Sequence, residues 1–283
     1  MHLIARYTGL LLFFLLVPFS FLFADENQQK TLKIMSWNLY FLYDEIDDAN
    51  KFPKTRYHRS DQDFKKLREI FNQLNPDIAG FQEIENLSAL YKVVDQTRYT
   101  CAASKIKASV QEVGLCWKNS FPAPKITLLK YLQTNSRLRP GIQGKFHLSD
   151  KSITITNVHF KAGKPDLAKS KQQTVRNLQF TRLFQNLSPH NQIIIGDFNY
   201  NLRKDPARVL SPENRLSIAG KNNIPRCWQY KRFFIDYILY SSGFTEKSFA
   251  QIQYANDDGK FDGNPETEKG LSDHCPIIAV LQY

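Results

Sequence analysis

IIIGDFN, at residues 193–199, is the stretch from which the rest of this chain is best understood. Its three consecutive β-branched apolar residues are typical of a strand that is buried on both faces. Because residues two apart in a strand point the same way, Asp197 and Asn199 leave the strand end together. α/β proteins commonly build a functional site from such side chains. An ordinary Asp/Asn turn after a strand explains these residues equally well, so this stretch alone leaves both interpretations open.

Polar residues that bind metals or transfer protons follow other apolar strands as well. These residues are Asn38, Glu83, His159, Asp273 and His274. Taken singly, each has an ordinary explanation, and a lone histidine is more often structural than catalytic. Their joint occurrence at strand ends predicts a single site.

Asp236 differs from these residues because it lies inside the apolar run 233–240 (FFIDYILY). Burying an unpaired carboxylate is energetically costly, so Asp236 requires a partner. His274 is the natural candidate, since an aspartate fixes the tautomer of a histidine and raises its basicity. The sequence therefore predicts an Asp236–His274 pair.

The pattern of apolar residues predicts one domain with two sheets and helices outside them. A first helix is predicted to begin at Asp61 or Asp63 and to end at 75–77. Further helices are predicted over 86–96 and 169–187, the last with Val175, Leu178, Leu183 and Phe184 facing inward. Strands are predicted at 31–38, 78–81, 97–103, 112–118, 125–132, 142–148, 152–160, 191–197, 233–240 and 277–281. Residues 39–60 are predicted to be a long loop, and residues 200–230 an irregular region.

Residues 1–24 have the composition of a secretory signal peptide. Residues 10–23 are almost wholly apolar, Ala24 is small, and a polar stretch begins at Asp25. The apolar core is shorter than a comfortable membrane span, so a retained anchor is the less favoured alternative. We therefore predict cleavage near Ala24, a single mature domain over 25–283, and a secreted or periplasmic location without a stable membrane anchor.

Export would favour disulfide bonds between the four cysteines, because disulfides persist in oxidising compartments. Four cysteines allow three pairings, and sequence alone does not choose among them. Cys101 and Cys116 flank a predicted hairpin, which favours that pair and leaves Cys227 with Cys275. Four buried free thiols are the alternative.

The formal net charge of the chain is +11, and loss of Arg6 with the signal peptide would change it by only one unit. Such an excess favours a polyanionic partner: nucleic acid, an anionic membrane surface or a phosphorylated small molecule. The sequence leaves the oligomeric state open, with a monomer favoured.

Six short motifs carry a resemblance to a known family: Trp37-Asn38, Gln82-Glu83, Asn157-Val158-His159, Gly196-Asp197-Phe198-Asn199, Ile235-Asp236-Tyr237 and Ser272-Asp273-His274. In this order they resemble the endonuclease/exonuclease/phosphatase superfamily, and the chain looks like a secreted bacterial-type member. The group includes DNase I, abasic-site endonucleases of the exonuclease III type, neutral sphingomyelinases and inositol-polyphosphate 5-phosphatases. The resemblance extends over residues 31–282. It implies an α+β fold, a four-layer α/β/β/α sandwich in which two mostly antiparallel sheets pack face to face with helices outside.

The resemblance also implies a divalent-metal-dependent phosphoric ester hydrolase. Glu83 would be the main ligand of Mg²⁺, or of Mn²⁺ or Ca²⁺, with help from Asn38 and Asp273. These side chains offer the hard oxygen ligands that such ions prefer.

The other motif residues would carry out the catalysis, again as the resemblance implies. His274, oriented by Asp236, would activate the attacking water. Asp197 would position that water or assist proton transfer. Asn199 and His159 would donate hydrogen bonds to the phosphoryl oxygens as charge develops on them.

Two basic residues are candidates for binding the phosphate of a substrate. Arg139 lies just before a predicted strand, and Lys161 follows the strand that ends near His159. An arginine binds phosphate oxygens through two parallel hydrogen bonds. Solvated surface charges are an equally good alternative for both residues.

Nucleic acid is the favoured substrate class, with DNA before RNA. The chain is short for an added lipid-binding module, its positive charge suits a polyphosphate backbone, and export without an anchor fits a scavenging or toxic nuclease. A sphingomyelinase-like phospholipase or an inositol-phosphate phosphatase is the alternative. A non-catalytic binding protein on the same fold is less favoured, because every expected polar position is filled.

Overall fold

The computed structural model of the protein describes residues 30–44, 58–105, 111–135, 138–148, 151–163, 171–188, 190–206, 215–225, 233–253 and 271–283. The predicted signal peptide at 1–24 and Cys227 lie outside the described residues. None of the helices in the described ranges is long and apolar enough to cross a membrane.

The strands of the described residues form two six-stranded sheets. The first sheet has the order β11-β12-β1-β2-β4-β3, with β1 (Thr31–Leu42), β2 (Ile78–Ile84), β3 (Tyr99–Ala103), β4 (Glu112–Lys118), β11 (Thr245–Gln251) and β12 (Ile277–Gln282). The second has the order β5-β6-β7-β8-β10-β9, with β5 (Lys125–Leu129), β6 (Gly141–Leu148), β7 (Lys151–His159), β8 (Gln192–Asp197), β9 (Ser217–Ile218) and β10 (Asp236–Tyr240). In each sheet the two central strands, β1 with β2 and β7 with β8, are parallel, and the other neighbours are antiparallel.

The two sheets pack face to face with helices on their outer faces, which confirms the predicted four-layer sandwich. The helices are α1 (Asp61–Leu74), α2 (Leu87–Tyr91) and α3 (Lys171–Gln185), and a short 3₁₀ helix covers Lys130–Leu132. Leu32 of β1 belongs to the core between the sheets, whereas Trp37 belongs to the cluster beneath α1 and α2. On the second sheet, Phe180 of α3 stacks on Phe198 with ring centroids 5.9 Å apart.

A buried hydrogen-bond network joins the two sheets. Asn157 of β7 donates from Nδ2 to the carbonyl oxygens of Phe81 and Gly114 in the opposite sheet, at 2.8 and 2.7 Å. Its Oδ1 accepts from Gln82 Nε2 at 2.7 Å, and Gln82 also donates to Ser36 Oγ at 3.2 Å. The side chains of Asn157, Gln82 and Ser36 are fully buried. Because unpaired polar groups are costly in such an interior, this network fixes how the sheets lie against each other.

Most predicted elements are present to within a few residues, but the helix predicted over 86–96 is only Leu87–Tyr91, and the end of the strand predicted over 125–132 is the 3₁₀ helix Lys130–Leu132. The predicted loop 39–60 begins too early, because β1 continues to Leu42. Strands β9 and β11 were not predicted. The sequence of β11, TEKSFAQ, is polar because this strand lies at the sheet edge and has no fully buried residue, and β9 is only two residues long.

The first helix begins at Asp61, but its N-cap is Ser60 rather than Asp61 or Asp63. Ser60 and Asp63 form a capping box. Ser60 Oγ accepts from the backbone N–H of Asp63 at 3.3 Å, and Asp63 Oδ2 accepts from the backbone N–H of Ser60 at 2.8 Å. Two backbone donors of the first turn are thereby satisfied. Asn75, in the left-handed conformation, ends the helix where the sequence predicted.

The buried face of α3 is more polar than predicted. Leu178 is 41% exposed, and the buried residues are Gln173, Arg176, Gln179, Phe180 and Leu183. Gln179 Oε1 accepts from the backbone N–H of Lys161 at 2.9 Å, and Arg176 Nη1 donates to the carbonyl oxygen of Lys161 at 2.9 Å. Leu183 is buried and Phe184 packs against the core as predicted, but the prediction was wrong for Leu178. The helix packs partly against backbone groups of Lys161, which polar side chains satisfy better than apolar ones.

The predicted disulfide between Cys101 and Cys116 is present. The two residues are directly opposite each other on the antiparallel strands β3 and β4. Cys275 is also disulfide-bonded. Its predicted partner, Cys227, lies outside the described residues.

We expect Asn157→Ala to lower the free energy of unfolding by on the order of 3 kcal/mol, since each buried group left without a partner costs about 1–3 kcal/mol. Gln82 and two carbonyl groups would lose their bonds to Asn157. Urea unfolding followed by circular dichroism measures the change. Thr154→Ala, at a half-buried position of the same strand, is the control and should cost far less. Equal losses in both variants would show that the network does not hold the sheets together.

Candidate active site

The strand topology brings polar residues of both sheets to one edge of the sandwich. Because β1–β2 and β7–β8 are parallel pairs, the strand ends that carry Glu83 and Asp197 each lie beside the end of a neighbour. Strands β12 and β10 run antiparallel to β1 and β8, so His274 and Asp236 lie at their beginnings on that same edge. The edges of the two sheets meet where Asn38 Nδ2 lies 3.2 Å from Asp197 Oδ2.

Several residues at this edge have the left-handed backbone conformation that non-glycine residues rarely adopt. Their φ angles are 45° for Tyr40, 54° for Phe41, 58° for Glu83 and 49° for Asn199. The first three lie at irregularities in strand pairing. Such conformations cost on the order of 1–3 kcal/mol each and cluster at functional sites. The backbone strain therefore marks this edge independently of the side chains.

Gly196 allows β7 and β8 to approach closely just before the site. Its φ is 140°, and a Cβ at this position would lie 1.9 Å from the carbonyl oxygen of Val158. Only glycine is compatible with that contact. In the resulting register His159 pairs with Asp197, and His159 Nε2 lies 3.5 Å from Asp197 Oδ2.

The two carboxylate oxygens of Glu83 face different groups. Oε2 accepts from Gln111 Nε2 at 2.7 Å and from the backbone N–H of Phe41 at 3.3 Å. Oε1 lies 3.4 Å from Asn38 Nδ2 and 3.7 Å from His159 Nε2. Oε2 is thus held by donors of its own sheet, and Oε1 is the oxygen that faces the other site residues.

Asn38, predicted as a metal ligand, presents its amide nitrogen to the carboxylates. Its Oδ1 accepts from the backbone N–H of Tyr40 at 2.9 Å. Its Nδ2 donates to Glu83 Oε1 and to Asp197 Oδ2. In this orientation Asn38 links carboxylates that belong to different sheets.

Asp236 is the first residue of β10 and does not lie inside the strand, which corrects its predicted placement. Its Oδ2 lies 2.8 Å from His274 Nδ1, as the predicted pair requires. His274 Nε2 lies 3.9 Å from Asp197 Oδ2 and 3.8 Å from Asp273 Oδ1. Burial lowers the pKa of His274, but the charges of Asp236, Asp273 and Asp197 and the hydrogen bond with Asp236 outweigh it and raise the pKa to about 10. His274 is therefore the cationic partner of these carboxylates.

Asp197 is buried beside a second carboxylate. Burial and the charge of Asp236 raise the pKa of Asp197 to about 7, although His274 and the backbone N–H of Asn199 oppose the shift. Asn199 leaves the strand end together with Asp197, and its backbone N–H donates to Asp197 Oδ1 at 2.7 Å. Its Nδ2 donates to Asp197 Oδ2 at 3.1 Å and to the carbonyl oxygen of Phe160 at 3.2 Å. The raised pKa shows that burial and Asp236 destabilise the charged form of this carboxyl group, an effect that a nearby cation would offset.

His159 is 4% exposed, and neither of its ring nitrogens has a hydrogen-bond partner among the described residues. Burial lowers the pKa of His159 well below its ordinary value, and the charges of Arg139, His274 and Lys161 lower it further. The ring is therefore neutral at physiological pH and retains an N–H donor. Its position next to Asp197 and Glu83 allows it to reach a group bound between those carboxylates.

The two predicted phosphate-binding residues, Arg139 and Lys161, line one cleft of about 370 Å³, together with Gln111, Asn135, Leu138 and Ala162. Arg139 is only 8% exposed, so it is not a solvated surface charge. It donates from Nη1 to Gln111 Oε1 at 2.8 Å and from Nε to the carbonyl oxygen of His159 at 3.4 Å. Burial lowers the pKa of Arg139, and the nearby charges of Glu83 and Asp197 act in the opposite direction. The cleft is therefore cationic and adjoins the carboxylates.

The donors at this edge fit a hard divalent cation. Glu83, Asp197, Asp236 and Asp273 supply carboxylate oxygens, of the kind that Mg²⁺ and Ca²⁺ prefer. One potential ligand atom from each of Asp197, Asp236 and His274 lies within 4.8 Å of the others. Asp236 Oδ1 is buried and has no hydrogen-bond partner in the part of the chain that the structure describes. Asp273 is the most exposed of the four carboxylates, with 38% of its side chain accessible.

Two residues at this site were not predicted from the sequence. Gln111 immediately precedes β4, in the same way that Arg139 precedes β6, so the rule that drew attention to Arg139 would have found it. Arg59 gives no sequence signal, because it acts on backbone carbonyl groups. Its guanidinium donates to the carbonyl oxygens of Leu39, Tyr40, Phe41 and Leu271.

The sequence profile of the Endonuclease/Exonuclease/phosphatase family matches residues 35–274, a range that contains every residue of this site. The chain belongs to that family. It is accordingly a divalent-metal-dependent phosphoric ester hydrolase, as its resemblance to the family implied. No curated protein matches the chain at the level of the individual sequence.

Solved structures of the family share the fold. D. rerio TDP2 complexed with a single-strand DNA product has a TM-score of 0.64 and 18% identity, and the match covers 89% of this chain and 99% of that chain. The human nocturnin catalytic domain with a bound sulfate anion has a TM-score of 0.63 and 17% identity, covering 90% and 97%. ANGEL2, a 2′,3′-cyclic phosphatase in complex with adenosine-2′,3′-vanadate, has a TM-score of 0.66 and 14% identity, covering 90% and 96%. At these identities the likeness establishes the fold alone.

We expect Arg59→Lys to lower kcat/KM for bis(4-nitrophenyl) phosphate by about 10–100-fold, the range typical of residues that orient metal ligands. A single ammonium group cannot replace a planar guanidinium that binds four carbonyl oxygens. Among these, Phe41 donates its N–H to Glu83, and Leu271 precedes Asp273 and His274. Steady-state kinetics measures the effect. Arg68→Lys is the control, because Arg68 also binds two backbone carbonyls but lies on α1. Equal losses in the two variants would argue against a specific effect of Arg59.

We expect Asp236→Asn and His274→Ala each to lower kcat by a similar factor, on the order of 10³–10⁴, as in other Asp–His pairs. Asp236→Asn keeps the side-chain size but removes the charge that orients His274. The double variant should lose little more than either single variant, because residues that act as a unit are not additive. Turnover at saturating substrate and metal, measured with thermal stability, tests this. Multiplicative losses in the double variant would show that the two residues act separately.

Proposed function

We propose that the protein is a secreted nuclease that uses Mg²⁺ to hydrolyse the phosphodiester bonds of DNA or RNA. The observation that carries the proposal is the buried Arg139, which lines a cleft with Lys161 next to the carboxylates of Glu83 and Asp197. Burying a guanidinium costs free energy unless an anion compensates it. A phosphate next to the scissile group is such an anion, and a nucleic acid supplies one on either side of each bond.

Two further observations support a polyanionic substrate. The formal charge of the chain is +11, which favours association with a phosphate backbone. D. rerio TDP2, whose fold this chain shares, has been solved with a single-strand DNA product. ANGEL2 is a 2′,3′-cyclic phosphatase, so the fold also supports other phosphoric esters. A sphingomyelinase-like phospholipase and an inositol-phosphate phosphatase are therefore the alternatives that the experiment must distinguish.

The proposed metal ligands are Glu83, Asn38 and Asp273. Bound to them, Mg²⁺ would neutralise charge on the phosphate group under attack. Glu83 Oε1 is suited to this role because its other oxygen is already held by Gln111 and Phe41. Asn38 would have to turn its amide to present Oδ1, and Asp273, as the most exposed carboxylate, would approach an ion from the solvent side.

The remaining residues would move the proton and stabilise developing charge. His274, held through Nδ1 by Asp236, would accept the proton of the attacking water at Nε2. This requires its raised pKa to fall, and a cation on the neighbouring carboxylates would lower it by repulsion. Asp197 would orient the water, and the neutral His159 would donate its N–H to a phosphoryl oxygen. Asn199 would either donate likewise or keep Asp197 in place, as its present hydrogen bonds suggest.

We further propose that the signal peptide is cleaved near Ala24 and that residues 25–283 form one exported catalytic domain. The disulfide between Cys101 and Cys116 supports this, because such bonds are stable in an oxidising compartment. Amino-terminal sequencing of protein recovered from the periplasm or medium tests the cleavage site directly.

We expect Glu83→Gln to lower phosphodiester hydrolysis by at least about 10²-fold, a loss of the size seen when one electrostatic contact to the transition state is removed. The substitution keeps the shape of the side chain and removes its charge. Glu69→Gln, at an exposed position of α1, is the matched control and should retain wild-type activity. Near wild-type rates for Glu83→Gln in Mg²⁺ would remove Glu83 from the site.

The substrate class is tested with the purified mature protein, offered plasmid DNA, RNA, sphingomyelin and inositol phosphates, each with Mg²⁺ and with EDTA. The proposal expects cleavage of nucleic acid in Mg²⁺ and none in EDTA. Faster hydrolysis of sphingomyelin or of inositol phosphates would reject the nuclease in favour of that alternative. Absence of hydrolysis of all four substrates would count against a nuclease as well.

A further inference from the structure

Gln111 connects the two sheets at the site. It immediately precedes β4, which is antiparallel to β2, so it lies at the edge where β2 delivers Glu83. Its Nε2 donates to Glu83 Oε2 at 2.7 Å. Its Oε1 accepts from Nη1 of Arg139, which precedes β6 of the second sheet, at 2.8 Å. One side chain thus contacts both the principal acidic residue and the principal basic residue of the site.

The chemistry of the primary amide suits this position better than that of a charged side chain. An amide has a donor group at one end and an acceptor at the other, so its nitrogen can face a carboxylate while its oxygen faces a guanidinium. A carboxylate here would pair with Arg139 but repel Glu83, and an ammonium would do the reverse. The two flanking charges also prevent the amide from flipping, because a flipped amide would face each of them with the wrong atom.

Gln111 thereby selects which atoms of its two partners face the substrate. With Oε2 of Glu83 held by Gln111 and by the N–H of Phe41, Oε1 is directed at Asn38 and His159. Arg139 uses Nη1 for Gln111 and Nε for the carbonyl oxygen of His159. Its Nη2 has no hydrogen-bond partner in the described ranges and remains for an anion in the cleft.

We propose that Gln111 is a positioning residue that orients Glu83 for the metal ion and Arg139 for a substrate phosphate, and so couples the two binding events. This inference rests on the proposed function, in which Glu83 binds the metal ion and Arg139 binds a substrate phosphate. Gln111 lines the cleft but acts through its two neighbours and does not contact the reacting atoms. Binding of an anion by Arg139 and of a cation by Glu83 would each fix Gln111 in the orientation that the other requires, so each event should favour the other.

Gln111→Met tests the proposal, because methionine keeps the length of the side chain and removes both hydrogen bonds. We expect the variant to bind Mn²⁺ about 10-fold more weakly by isothermal titration calorimetry without substrate. We also expect a higher KM for bis(4-nitrophenyl) phosphate, a kcat/KM lower by about 10–100-fold, and a melting temperature close to that of the wild type. Gln143→Met is the control, since Gln143 is also a half-buried glutamine with one side-chain bond, to Thr156 of β7. It should match the wild type in both assays.

The Arg139→Ala background separates the effect of Gln111 on substrate binding from its effect on metal binding. There, Gln111→Met should no longer raise KM, because the group that it positions is gone, but it should still weaken Mn²⁺ binding through Glu83. A full rise in KM in that background would mean that Gln111 contacts the substrate itself and would overturn the positioning role. Equal Mn²⁺ affinities for the wild type and Gln111→Met would show that Gln111 does not orient Glu83 for the metal ion. A wild type that binds Mn²⁺ but leaves DNA and RNA intact would reject the nuclease, while the calorimetry would still decide the role of Gln111.

Discussion

The hydrogen bonds of Asn157 with the opposite sheet are the constraint on which the site depends. Gln82, which donates to Asn157, directly precedes Glu83, and Asn157 lies two residues before His159. A shift of one sheet along the other would break these bonds and would also move Glu83 relative to His159. The close approach also needs Gly80, because a Cβ there would lie 2.6 Å from Ile195 Cδ1 and 2.8 Å from Asn157 Cγ. The close packing around Asn157 and Gly80 thus allows Asn38 Nδ2 and Asp197 Oδ2 to lie 3.2 Å apart.

The site itself is where this chain departs most from what would stabilise a folded protein. Asp197 and Asp236 face each other in register at the sheet edge, and both are buried. Burial and the charge of Asp236 raise the pKa of Asp197, and the charges of Asp236, Asp273 and Asp197 raise that of His274, so both groups lie among carboxylates whose charge is incompletely balanced. A divalent cation would offset the negative charge of these carboxylates. Its binding would therefore recover part of the free energy that burying them costs during folding.

The site residues were easier to predict from the sequence than the helices and strands around them, for a physical reason. Strand ends are visible as a change from apolar to polar residues, and the topology then brings them together, as at Glu83, His159 and Asp197. The buried face of α3 was predicted only in part, because Gln179 and Arg176 bind backbone groups that the apolar periodicity does not reflect. Arg59 was not predicted, because it too binds backbone carbonyl groups. The amide orientation of Asn38 depends on the N–H of Tyr40. The position of that N–H follows from an irregularity in strand pairing that the sequence pattern does not predict.

The arrangement of the central strands explains why the fold can keep one chemistry while its substrate changes. In both sheets two parallel strands end at the site and two antiparallel neighbours begin there. The strand ends carry the acid and neutral groups Glu83, His159 and Asp197, which the inter-sheet network and Gly196 hold rigidly. Gln111 and Arg139 instead precede strands β4 and β6, and both line the cleft. Residues outside the strands can change without disturbing the sheets, so substrate choice could diverge at the strand beginnings while the proposed catalytic residues are retained at the strand ends.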